Sequence, residues 1–417
     1  MDSLLRLHNK TVIFSVTGLA MVGNYLTGGI IGLTGEGTLL CQKMACGGVA
    51  PSDVPASCVE LVEHLRQGGY LATADGTPPS GVRVSSAYLH VTQRCDLSCR
   101  FCYSDGTARN AQPDPSLADL ARAIGLLAQL GVSRLVISGG EPFLRQDLPD
   151  IARTAREWGV ANVSVLTNGL HVTPERLEPL AGSVDAVAVA FDGCSTDAPA
   201  HLRGQQRFDR LVRAVKDIAA VGIQPCILPT LHGGNLADIP RYRQLAAGLG
   251  AQLRFSLLTA PTRELGKLAL TPLQQRELAM RSLGEHLGLQ ADVIGTGVGL
   301  SARMSCGAGT RTLSVAADGT VFPCHMLHKA EFAMGNAFAD DPRAIMDSSV
   351  AKRFRDLSAN SFARCSSCGV RHLCGGGCRA RAYADTARLE ACDSYCELSR
   401  VYFNEIVTTL KRRYAAD

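Results

Sequence analysis

The residues with the most chemistry in this 417-residue chain are its sixteen cysteines, which are unevenly spread. Three stand at Cys95, Cys99 and Cys102, and eight fall between Cys306 and Cys396. Clustering at short spacings favours metal or cluster ligation in a reducing compartment over a disulfide framework. The C-x3-C-x2-C run can wrap a loop around a cubane cluster, three thiolates holding three irons and leaving the fourth open to a ligand. A closed zinc site needs a further His or Cys nearby. The nearest histidine, His90, is set by alternation within the preceding strand. The C-terminal third carries Cys306, then the turn Asp318-Gly-Thr-Val-Phe-Pro-Cys324. It continues with Cys365-x2-Cys368-x5-Cys374-x3-Cys378 and ends with Cys392 and Cys396. Gly375-Gly-Gly377 permits the tight backbone that wrapping a cluster requires. A zinc ribbon needs paired C-x2-C knuckles, and here there is one. Cys41, Cys46, Cys58, Cys194 and Cys226 fit no motif and read mostly as small buried hydrophobes.

Composition narrows the classes. Hydrophobic residues make up 46% and charged residues 19%, which excludes a disordered chain. A net charge of +4 and 5% aromatics give no footing for a nucleic-acid partner. Thr11–Leu33 carries no charge, but Gly18, Gly23, Gly28, Gly29 and Gly32 interrupt it. It reads as short strands (Val12–Phe14, Ile30–Ile31) joined by turns, not as a membrane or export segment, so the expected compartment is the cytoplasm.

Positioning these cysteines requires a scaffold. Residues 1–80 form a small N-terminal module in which Val59, Leu61, Val62 and Leu65 lie on one helical stripe that Gly68 is placed to stop, followed by a polar linker at 73–81. From residue 85 to 260, strand-like runs alternate with helical ones. The strands are Ala87–Thr92, Ser133–Ser138, Asn162–Thr167, Val184–Phe191, Ile223–Thr230 and Leu253–Leu258. Helical patterns lie near 116–130, 147–158, 174–180, 207–221 and 236–248. Such β-then-α units predict an α/β fold with a parallel sheet and outer helices, with functional loops after the strand C-termini. A helical connector (261–300, helix Thr271–Leu287) leads to a cysteine-rich region at 301–417 that ends in a helix near Glu397–Arg413.

Cys95-x3-Cys99-x-Phe101-Cys102, directly after the first strand, resembles the signature of the radical S-adenosylmethionine enzymes. Ser138-Gly139-Gly140-Glu141-Pro142 after the second strand is similar to that family's stretch for the amino end of S-adenosylmethionine. The resemblance implies a partial (β/α)6 barrel and a [4Fe-4S] cluster on Cys95, Cys99 and Cys102. It implies a cofactor pocket at Phe101, Gly139, Gly140, Glu141, Pro142, Asn168, Asp192 and Arg203. The C-terminal pattern resembles the SPASM extension of radical peptide-modifying enzymes. By that likeness one or two auxiliary iron–sulfur clusters are expected: Cys306, Cys324 and Cys378 on the first, Cys365, Cys368, Cys374 and Cys396 on the second. Cys396 is preferred to Cys392 because Asp393-Ser-Tyr-Cys396 is similar to the family's closing stretch. Some members carry another cysteine just upstream of Cys306, whereas Ser301–Ser305 has none, which leaves the first cluster an open iron or a remote ligand. His325 stands where some sulfatase-maturing relatives have an acidic residue, and is the candidate base or hydrogen-bond donor.

The implied activity is reductive cleavage of S-adenosylmethionine followed by hydrogen abstraction. The N-terminal module is similar to small winged-helix domains that receive a leader peptide as an added strand. A precursor peptide with a leader is therefore the expected substrate, crosslinked through a thioether or C–C bond, with ferredoxin or flavodoxin as electron donor. Alternatives are a sulfatase maturase, a tetrapyrrole- or redox-cofactor-tailoring enzyme, and a non-catalytic metal-binding protein.

Overall fold

The computed structural model describes residues 4–72, 84–104, 110–198, 202–203, 207–259, 263–284 and 300–414. The expected linker at 73–81, the glycine-rich 295–299 and the last three residues of the expected connector helix lie outside them.

Near the N-terminus, β1 (Thr11–Val16), β2 (Leu19–Asn24) and β3 (Ile30–Gly32) form an antiparallel sheet in that order. Two helices follow, α1 (Gly35–Cys46) and α2 (Val59–Gln67). Thr34 caps α1 by accepting from the Gly37 N–H at 3.0 Å. Val22, Leu40, Cys41, Met44, Cys58, Val62 and Leu65 pack as one core beneath the sheet. Cys41 and Cys58 are therefore the buried hydrophobes expected of them.

The barrel alternates β4 (Ser86–His90), α3 (Leu117–Gln129), β5 (Arg134–Ser138), α4 (Leu148–Glu157), β6 (Asn162–Thr167), α5 (Pro174–Leu177), β7 (Ala186–Phe191), α6 (Phe208–Ala220), β8 (Gln224–Leu231) and α7 (Ile239–Gly248). β4 to β8 pair in parallel, in sequence order. The sixth strand is split into β9 (Gln252–Leu253) and β10 (Ser256–Leu257), both parallel to β8. This is the partial (β/α)6 barrel expected. Each helix turns an apolar stripe to the sheet: Ser116 caps α3, and Leu120, Ala123, Ile124 and Leu127 are buried. Burying each large aliphatic side chain contributes about 1.5–3 kcal/mol. On β7, Val187, Val189 and Phe191 pack outward, while Ala186, Ala188 and Ala190 alternate with them, so small side chains leave the lumen open.

After α8 (Arg263–Gly266) and α9 (Pro272–Gly284), the chain returns to the same sheet. β11 (Thr312–Val315) pairs in parallel with β4, Ser314 beside Tyr88. β12 (Thr320–Phe322) and β13 (Gly335–Asn336) add antiparallel strands. The cysteine-rich end carries α10 (Pro342–Met346), α11 (Ser349–Asp356), α12 (Arg371–Cys374), α13 (Arg379–Thr386) and α14 (Cys396–Tyr414). The N-terminal sheet rests on this region. Tyr25 Oη lies 2.5 Å from His372 Nδ1, the Ala302 N–H donates to Gly28 O at 2.9 Å, and Arg311 donates to Tyr25 O at 2.8 Å. No helix among the described residues is long and apolar enough to cross a membrane.

Candidate active site

Cys95, Cys99 and Cys102 occupy the loop at the C-terminal end of β4, where a parallel sheet presents its functional loops. The loop is fixed from several sides. Gly140 N donates to Thr92 O and Glu141 N to Arg94 O, each at 2.8 Å. A Cβ on Gly140 would stand 2.1 Å from Arg94 O, and one on Gly139 (φ +140°) 2.4 Å from Thr92 O. Only glycines allow that approach between the end of β5 and the cysteine loop. Asn168, after β6, donates to Asp96 at 2.8 Å, and His171 Nε2 meets the other Asp96 oxygen at 3.0 Å. The Leu97 N–H lies 3.5 Å from Cys95 Sγ, the polarity a thiolate needs.

A cleft opens beside the loop, lined by Leu97, Asn168, Leu170, Ala190, Asp192, Arg203, Arg207 and Leu211. Asn168, Asp192 and Arg203 thus line one cleft. Asp192 Oδ2 accepts from the Leu202 and Arg203 amides at 2.8 and 2.6 Å. The Arg203 guanidinium donates to Phe191 O at 3.0 Å and sits 5.1 Å from the centroid of the Phe101 ring, joining the cleft to the cysteine loop. Pro142 opens a short helical turn behind them and is buried.

Glu141 is fully buried, and its oxygens accept from Thr167 Oγ1 (2.7 Å), Asn168 N (2.7 Å) and Phe143 N (3.0 Å). It braces the β5 loop against the β6 loop, so its carboxylate is committed to contacts within the fold. Burial pushes its pKa up to about 7 from 4.5, against the pull of those donors. A raised carboxyl contributes stability that is present below the unfolded value and lost as pH rises through the folded one. The size is on the order of 3 kcal/mol. Wild-type Tm should therefore fall relative to Glu141→Gln between about pH 5 and 8. A pH-independent difference in Tm would mean the carboxyl does not titrate there.

Cys306, Cys324 and Cys378 pack against an apolar cluster that also contains Cys365, and Cys368 and Cys374 pack against the main core. Burial pushes the Cys378 thiol up to about 11, with Cys306 among the charges that add to the rise. Cys374 is raised likewise, with Cys365 and Cys368 as neighbours. Cys396 is raised by its hydrogen bond with Cys392 and feels both Cys374 and Cys368. Cys392, lowered to about 6 mainly by that bond, faces Cys365. The wrapping comes from Gly375, Gly376 and Gly377, with φ of 64°, 83° and 77°. The Met326 N–H lies 3.3 Å from Cys324 Sγ. A donor set of thiols with backbone N–H groups aimed at sulfur suits iron–sulfur clusters. Among the described residues, no three His, Cys, Asp or Glu side chains converge tightly enough to hold a single metal ion.

Between the two cysteine regions lies a set of rings. His325 stacks on Tyr88 (centroids 4.0 Å) and meets the edge of Tyr103 at 5.1 Å. His90 lies 4.6 Å from His328, whose Nε2 meets Ser314 Oγ at 2.8 Å. The residue after Cys102 thus touches the residue after Cys324. Tyr88, Tyr103 and His328 were not expected from sequence; for Tyr103 the one signal is its place beside a cysteine.

This geometry agrees with comparison to known proteins. Residues 89–246 match the radical SAM superfamily, and residues 306–369 match the SPASM iron–sulfur cluster-binding domain. The PqqA peptide cyclase of Ruegeria pomeroyi is 30% identical over 325 residues, covering 74% of this chain and 86% of its own length. The mycofactocin maturase MftC of Mycobacterium tuberculosis is 29% identical, covering 73% and 81%. The structure of Streptococcus suis SuiB bound to precursor peptide SuiA superposes with a TM-score of 0.60 at 15% identity, covering 94% of this chain and all of that one, a likeness of fold. The matched regions carry a [4Fe-4S] cluster used with S-adenosylmethionine, and auxiliary iron–sulfur clusters. Cysteine loop, glycine brace, cleft and C-terminal cysteines all sit within one sheet-based scaffold, and the chain belongs to the radical SAM superfamily, as an enzyme with a SPASM domain.

Proposed function

We propose that this enzyme modifies a ribosomally made precursor peptide, forming a thioether or C–C crosslink, with Cys95, Cys99 and Cys102 holding the cluster that engages S-adenosylmethionine. The observation that carries the reading is the cysteine loop hydrogen-bonded to the glycine pair after β5, beside a cleft lined by Asn168, Asp192 and Arg203. When bound, cluster and S-adenosylmethionine supply a 5′-deoxyadenosyl radical that removes a hydrogen atom from an unactivated C–H bond. The chain's own work is placement. Gly139 and Gly140 let the β5 loop approach and present their carbonyls to the ammonium. Arg203, steadied by Phe191 O and Phe101, offers a cation for the carboxylate or ribose. The alanines of β7 leave room in the lumen, and the Tyr88, Tyr103 and His325 rings wall it.

Cys306, Cys324 and Cys378 would hold one auxiliary cluster, and Cys365, Cys368, Cys374 and Cys396 another. Either could take the electron left on the product. An external donor such as ferredoxin or flavodoxin supplies the starting electron in the cytoplasm.

The N-terminal sheet is the proposed leader site. β3 has no partner on its outer edge among the described residues. Leu33 N donates inward to Ala20 O at 2.9 Å, so alternation turns the Gly32 N–H outward, ready for an added strand. Gly32→Pro removes that donor. It should weaken precursor binding by about tenfold, the worth of a hydrogen bond of roughly 1.4 kcal/mol. S-adenosylmethionine cleavage without peptide should be unchanged. Unaltered binding in a fluorescence titration would place the leader elsewhere. The reading itself is tested by mass spectrometry of a co-expressed precursor, alongside 5′-deoxyadenosine measured after anaerobic reconstitution. Zinc in place of iron, or a peptide mass that never changes, would overturn it.

A further inference from the structure

Among the described residues, one buried cation of the cysteine-rich region has no carboxylate at ion-pair distance. Arg379, at the start of α13, is fully buried. Its guanidinium donates to the carbonyls of Gly376, Leu389, Ala391 (2.9 Å) and Gly377 (3.4 Å), and lies 4.6 Å from the centroid of the Phe362 ring. Among the described residues no carboxylate stands within ion-pair distance of it. Its neighbour Arg381 makes the contrast. Arg381 is equally deep, but Asp393 meets it with two hydrogen bonds of 2.9 Å. A guanidinium stripped of water and given only carbonyls is costly unless an anion faces it.

The groups around Arg379 belong to the cysteine-bearing loops. Gly376 and Gly377 run from Cys374 to Cys378, and Ala391 leads into Cys392. Phe362, whose ring carries the guanidinium, accepts through its carbonyl from Cys365 N at 2.8 Å. The thiols of Cys365 and Cys392 both feel its positive charge together with that of the exposed Arg364, whereas Cys378 faces the neutralised Arg381 instead. A cluster held by four thiolates is a net anion and gains further negative charge on reduction.

We propose that Arg379 is the counter-charge of the auxiliary cluster carried by Cys365, Cys368, Cys374 and Cys396, and that it raises that cluster's reduction potential. A fixed cation in low-dielectric surroundings stabilises the more negative, reduced state. It acts through the cluster and touches no substrate, so it is a positioning residue. The inference rests on the ligand set proposed above.

The test is an EPR-monitored redox titration of the full-length, anaerobically reconstituted enzyme. Arg379→Gln should lower one auxiliary potential by at least about 59 mV, a tenfold change in a one-electron equilibrium, and leave the other clusters unmoved. Arg379→Lys should restore most of the shift, because it keeps the charge while losing the fork that spans the carbonyls. Full iron content with all potentials at wild-type values in the Gln variant overturns the role of Arg379 alone. If the Gln variant loses iron, the Lys variant decides. A near-wild-type potential supports the charge role, and a potential lowered by tenfold or more overturns it. Auxiliary signals that survive Cys374→Ala unchanged overturn the ligand set beneath the inference.

Discussion

Cys99→Ala enzyme, reconstituted anaerobically, will not cleave S-adenosylmethionine above background. The loss should exceed the roughly 100-fold typical of removing a group behind a metal ligand, because here a ligand itself goes. Cys99 sits mid-loop, its carbonyl receiving the Cys102 N–H at 3.2 Å, so its removal leaves two thiols that cannot hold a cubane with one open iron. Iron per chain should fall by one cluster's worth while the auxiliary EPR signals persist. Cys374→Ala should behave differently. Cys374 packs in the C-terminal region, away from the cleft, so S-adenosylmethionine cleavage should continue uncoupled while crosslinked product disappears. Equal loss of both activities in Cys374→Ala would mean that the C-terminal cluster serves folding alone.

Asp393→Ala should cost about 3–5 kcal/mol of stability, the range for removing one partner of a buried ion pair. Asp393 and Arg381 leave only 2% and 5% of their side chains exposed. Besides Arg381, the Asp393 carboxylate accepts from Cys378 N at 2.7 Å and Tyr395 N at 3.0 Å. The Arg381 charge holds the carboxyl below the usual range despite its burial. Without it, Arg381 is stranded 5.0 Å from the centroid of the Tyr395 ring. Denaturant unfolding followed by tryptophan fluorescence and by loss of cluster absorbance will measure the cost. Replacing both partners with apolar residues should recover part of it. A loss under about 1 kcal/mol would show that water reaches the pair.

Much of the barrel is legible in the sequence because a buried parallel strand must be continuously apolar and its helix must show one apolar stripe. The sequence pattern for Asn162–Thr167 matches the strand to the residue, and those for α6 and α9 match within a few residues. The sixth strand reads as continuous, but the chain leaves pairing between Leu253 and Ser256, and it is split. α1 leaves little mark in the sequence because Gly35 and Gly37 open it and its apolar residues form only a weak stripe. Pairing of Thr312–Val315 with Ser86–Leu89 spans 226 residues and leaves no local mark. The cysteine motifs are short-range and readable. Arg379 and the ring contacts of His90, Tyr88 and His325 depend on which loops meet, which spacing does not encode. Glu141 was expected near the ligand; the fold spends both its oxygens on neighbouring loops.

β11 gives the barrel's opening strand a second neighbour, so the strand that launches the cysteine loop is hydrogen-bonded on both sides. The two halves of the enzyme are thus spliced through one ladder, not tethered as beads. A chimaera that grafts another relative's C-terminal half onto this barrel would have to keep Thr312 level with Ser86. A slip of one residue would exchange the faces that Leu313 and Ser314 occupy and tilt the launch of the loop. Modular exchange of specificity in this chain is therefore limited by strand register before any question of substrate fit arises.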